Sequence, residues 1–123
     1  MAAKTENRPK RGIQRMPESN HNAANYFVET HLAAGRGENI AFIESTSGKR
    51  ISYGTLSTNS GKVAGALTKA GIKREERAAI LMLDSIDCVE VFWGCLKAGV
   101  IAVPINTLLA SAVYETILGD CRA

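Results

Sequence analysis

The sequence has 123 residues, 46% of them hydrophobic and 22% charged, which suits one small domain with an apolar core and no fibrous, collagenous or disulfide-dense class. The formal net charge of +3 lies in residues 1–20, where Lys4, Arg8, Lys10, Arg11 and Arg15 face only Glu6 and Glu18. Residues 21–123 hold ten basic and ten acidic side chains, a neutral body that argues against a nucleic-acid-binding face.

Residues 1–20 read as a disordered basic leader without the apolar run of a secretory signal. "NAANYFVETHLAAGRGE" (22–38) then predicts a helix, with Asn22 as its N-cap, Ala23, Phe27, His31 and Ala34 on one face, and Gly35 as its stop. "NIAFIE" (39–44), the turn "STSG" (45–48) and "KRIS" (49–52) spell a β-hairpin. Ser52 is placed to cap a helix over 53–71, with Tyr53, Leu56, Ser60, Val63 and Leu67 along one face. Gly54, Gly61 and Gly65 lower its propensity by about 1 kcal/mol each relative to alanine and leave room for a close neighbour.

"IKREER" (72–77) is a charged connector of mixed sign, and "AAILML" (78–83) has the continuous apolar character of a strand buried on both faces. Asp84 and Ser85 are cap candidates for a helix over 86–98, with Trp93 and Leu96 as core contacts and Gly99 as its stop. "VIAVPI" (100–105) is the next strand, and Pro104 marks where it leaves the ladder. A last helix is expected over 110–118. The order is that of an α/β fold: an early β-hairpin, then a β-α-β unit with parallel strands. Residues 89–105 are nearly apolar, but Glu90, Lys97, two glycines and Pro104 interrupt them, and they fall short of the ~20 residues of a membrane span. A soluble cytoplasmic protein is the expectation.

Few residues carry a chemical signature. "STSGKR" fails the phosphate-loop pattern at both ends, with Ile43 where the first glycine belongs and Arg50 in place of the hydroxyl residue. "GRGE" (35–38) precedes a strand instead of following one, which suits a helix end and loop. His21 and His31 have no partner at ligand spacing. Asp84 and Asp87, at a helix start, suit capping and the helix dipole better than paired acid–base work. Cys88, Cys95 and Cys121 lack a C-x-x-C spacing and read as small buried hydrophobes in a reducing compartment. No serine lies in a G-x-S-x-G elbow.

Three stretches taken together resemble the start of the adenylate-forming superfamily of acyl-CoA synthetases, luciferases and peptide-synthetase adenylation domains. "ISYGTL" (51–56) is similar to its T-Y-x-E-L turn into a helix. "GIKREERAAILMLDS" (71–85) is similar to its connector and strand, and "FWGCLKAGVIAVPIN" (92–106) to its G-x-x-K-A-G-x-x-x-x-P-(I/L/V)-N unit. "NAANYFVETHLAAGRGENIAFIE" (22–44) and "PINTLLASAVYETILGDCRA" (104–123) resemble the benzoate-CoA ligase branch more narrowly. Two departures bear on stability: Thr55 stands where the family has an acidic or amide residue, and Ala112-Val113 where an acidic pair is expected to open the last helix.

The resemblance implies an α/β partial N-terminal subdomain: residues 21–123 as the incomplete N-terminal part of an AMP-binding domain. It implies a ligase of aromatic-compound degradation that uses ATP, Mg²⁺ and CoA to convert an aromatic carboxylate to its thioester. The family's phosphate loop, resembling T-S-G-T-T-G-x-P-K-G, and its later catalytic lysine have no counterpart in these 123 residues. No residue is therefore assigned as catalytic, cofactor-binding or metal-ligating. The chain alone is expected to be inactive, to bind none of these cofactors, and to self-associate through unpaired strand edges. The alternative is a stand-alone, non-catalytic α/β binding module derived from such a ligase.

Overall fold

The computed structural model describes residues 22–123, so the 1–20 leader and His21 lie outside the described residues. Asn22 opens the first helical segment as its position suggests: its Oδ1 accepts the Ala24 amide at 2.9 Å. Its Nδ2 donates to the Leu96 carbonyl at 2.7 Å, which ties this start to a distant helix. The segment then widens. Asn25–Glu29 is a π-helical turn, and only Thr30–Ala33 (α1) returns to α geometry. Ala24 and Val28 are buried, while Phe27, expected on the core side, is 55% exposed.

β1 (Ile40–Ile43) and β2 (Arg50–Ser52) form the expected antiparallel hairpin, each slightly shorter than the predicted strand. Its register slips between Ile40 and Phe42, and Ala41 packs against the core there. Ser52 caps α2 (Tyr53–Lys69), its Oγ accepting the Thr55 amide at 3.2 Å. A glutamate at 55 would reach back toward the cap's own amide; threonine is too short to do so and instead holds its hydroxyl 3.2 Å from the Ser52 hydroxyl.

β3 (Arg77–Ile80), α3 (Ile86–Ala98) and β4 (Ile101–Pro104) form the β-α-β unit, with β3 and β4 parallel from Arg77↔Ile101 to Ile80↔Pro104. Ser85, not Asp84, caps α3, accepting the Cys88 amide at 3.2 Å. Gly99 ends it at φ +72°, and the bonds Gly99 N–H to Leu96 and Val100 N–H to Cys95 form a Schellman motif. Both strands are shorter than their apolar runs, and Pro104 is still in register as the last residue of β4. One more bond follows it, from the Ile105 amide to the Ile80 carbonyl at 2.9 Å.

The strands are covered on one face only. Ile80 is buried and Ala78 and Ala102 pack toward α3, whereas Ala79 is exposed, Leu81 is 54% exposed and Ile101 44%. No described element lies over that second face, which corrects the expectation of two-sided burial. α4 (Ser111–Cys121) runs further than 118 and buries none of its residues. Tyr114 anchors its start, its hydroxyl accepting the Leu109 amide at 3.1 Å and donating to the Asn106 carbonyl at 3.0 Å.

Two apolar clusters flank α3. Val28, Ile51, Leu56 and Ile86 make one, with Trp93 against it; Ile80, Cys95 and Val100 make the other. Leu96 is half-buried and belongs to neither. α2 and α3 meet at Gly94, where a Cβ would lie 2.5 Å from Val63 Cβ and 3.0 Å from the Ser60 carbonyl oxygen. The α2–α3 approach thus runs through α3; of the α2 glycines, Gly54 does sit close to a neighbour, a Cβ there lying 3.3 Å from the Gly37 carbonyl oxygen, while Gly61 and Gly65 face open space. Gly94→Ala must push the helices apart and is expected to lower stability by about 1–3 kcal/mol. Gly61→Ala removes backbone freedom without a clash and is expected to raise it by up to about 1 kcal/mol. Urea unfolding of the two variants reads the opposite signs directly.

Candidate functional site

The hairpin turn is the one place where the sequence echoes an anion-binding loop, and its own carboxylate engages its polar groups. Gly48 takes φ +71°, and its amide donates to the Glu44 carbonyl at 2.8 Å. The Ser47 hydroxyl donates to Glu44 Oε2. Glu44 Oε1 in turn accepts the Ile86 amide at 3.2 Å, so the hairpin supplies a second cap to α3 beside Ser85. Across the same corner Lys49 Nζ lies 4.0 Å from Asp87, an exposed pair that contributes little. Hydrogen bonds from Ser47 and Ile86 hold the Glu44 carboxyl below the ordinary glutamate value. Nothing local in "STSGK" announces this role; Glu44 and Ile86 are 42 positions apart.

A second polar cluster joins three helical segments. Lys97 Nζ lies 2.6 Å from Glu29 Oε1 and donates to the Ser57 carbonyl at 2.8 Å and hydroxyl oxygen at 3.1 Å. The Ser57 hydroxyl donates to the same Glu29 oxygen at 2.7 Å. Burial works to raise the Glu29 carboxyl, but hydrogen bonds from Lys97 and Ser57 and the Lys97 charge bring it below its ordinary value. Asn59 Nδ2 donates to Glu90 Oε1 at 2.8 Å farther along the α2–α3 seam. These are ties between helices.

The other sequence candidates stay apart. His31 stacks on Tyr53, with ring centroids 3.9 Å apart, and its Nδ1 accepts from Arg36 Nε at 3.1 Å. Within the connector, Glu76 Oε2 accepts the Lys73 amide at 2.7 Å, closing a turn. Cys95 is buried, and burial pushes its thiol up, away from the reactive thiolate. Cys88 is half-buried beside an open cleft of about 310 Å³ lined by Phe42, Ile80, Val89, Phe92, Trp93 and Pro104. That cleft offers van der Waals contact and no convergent polar groups. Among the described residues, no cluster of three His, Cys, Asp or Glu side chains could hold a metal ion.

Both shifted glutamates titrate below their ordinary value of 4.5 in the folded chain. Their stabilisation is therefore fully present above that value and is lost as pH falls through the lower folded values. Thermal melts from pH 6 to pH 3 are expected to show this acid loss, and Glu44→Gln, which keeps an acceptor for Ile86 but cannot titrate, to show a shallower one. An equally steep acid limb in that variant would remove Glu44 from the account.

Comparison with known proteins identifies the scaffold. The family model described as "AMP-binding enzyme" matches residues 29–123. The chain is 37% identical over 108 residues to a 4-hydroxybenzoate–CoA/benzoate–CoA ligase of Rhodopseudomonas palustris, covering 88% of this chain and 20% of that protein. It is 34% identical over 110 residues to a benzoate–CoA ligase of Thauera aromatica, covering 89% of this chain and again 20% of the relative. Its fold matches the crystal structure of a benzoate CoA ligase from Burkholderia xenovorans LB400 with a TM-score of 0.76 at 34% identity, over 85% of this chain and 20% of that one. The chain thus spans about a fifth of the length of these relatives. Over the stretch that builds the hairpin, the α2–α3 pair and the parallel strands, it belongs to the AMP-binding, adenylate-forming enzyme family.

Proposed function

We propose that this chain is the N-terminal portion of an ATP-dependent aromatic acid–CoA ligase. In the proposed reaction a benzoate-like carboxylate attacks ATP and displaces pyrophosphate to give an acyl-adenylate. The CoA thiol then displaces AMP to give the thioester. The observation that carries the reading is the 37% identity to a ligase named for benzoate and 4-hydroxybenzoate.

Residues 21–123 would be the incomplete N-terminal part of the AMP-binding domain, preceded by a basic leader, in a cytoplasmic enzyme of aromatic-compound degradation. Their share of the work is scaffolding. Side chains such as Glu44, Ser85 and Lys97 use their hydrogen-bonding or ionic partners to hold helix starts and helix crossings. ATP, Mg²⁺ and CoA would be held by residues outside this stretch, where a metal ion and a lysine would meet the transition-state charge.

Two experiments test the two halves of the proposal. The purified 123-residue chain, given benzoate, Mg·ATP and CoA, is expected to form no benzoyl-CoA; ATP-dependent product would overturn the scaffold assignment. Residues 22–123, exchanged for the matching segment of the Rhodopseudomonas palustris ligase, are expected to support benzoyl-CoA formation. A folded chimera without activity would count against the aryl-CoA ligase reading.

A further inference from the structure

We draw no further inference here: the strongest candidate, the apolar cleft between the hairpin, the β3–β4 sheet and α3 lined by Phe42, Ile80, Val89, Phe92 and Trp93, lies in a stretch about a fifth as long as its relatives, and nothing in the structure shows what covers it.

Discussion

Gly94 sets the distance between α2 and α3, and most of the described structure is built on that contact. With hydrogen in place of a methyl group, the α3 backbone reaches the Val63 side chain and the Ser60 carbonyl. Ser60 itself is fully buried, and its hydroxyl donates to the Leu56 carbonyl at 2.6 Å, so the crossing carries a small polar residue that satisfies itself. Apolar clusters then form to either side of α3: Ile86, Val89 and Trp93 reach toward the hairpin and first helix, Cys95 and Ala98 toward the parallel strands. The ion pair of Lys97 with Glu29 is one turn from Gly94 and latches the first helical segment over the same pair.

The polar groups follow one logic. A helix start leaves unpaired amides, and in this chain side chains meet them: Asn22, Ser52 and Ser85 from within three residues, and Glu44 from the hairpin at the start of α3. The α3 start has the partial positive charge that elsewhere receives phosphate. Here the Glu44 carboxylate takes that place, held by the Ser47 hydroxyl, while the Gly48 amide closes the turn on the Glu44 backbone carbonyl. The resemblance of "STSGK" to a phosphate loop is therefore a likeness of composition, with the chemistry directed inward.

Chain-local features were well marked. Helix α3 has the bounds that Ser85 and Gly99 announce, because a side-chain cap and a left-handed glycine act within a few residues of their targets. The hairpin, α2 and the parallel unit were legible for the same reason, as was the family, whose motifs lie in those elements. Less legible were the positions where a distant partner decides. Phe27 carries the right period for a core face, yet the buried face is that of Ala24 and Val28, and Phe27 is 55% exposed with its ring centroid 6.2 Å from that of Trp93. Gly61 and Gly65 promise a close approach that Gly94 makes instead. Glu44 and Lys97 have no local signature, since their partners lie 42 and 40 positions away.

The sequence by itself determined where helices and strands begin and end to within a few residues, the α/β order, and the family to which that order belongs. Those properties depend on short-range backbone preferences and apolar periodicity. Only the tertiary structure decided which glycine is a contact, which carboxylate is a cap and which face of the β3–β4 sheet is bare. "AAILML" and "VIAVPI" carry the apolar content of strands buried on both faces, but burial depends on what else is present to cover them. In the described chain α3 covers one face, and Ala79, Leu81 and Ile101 stand on the other.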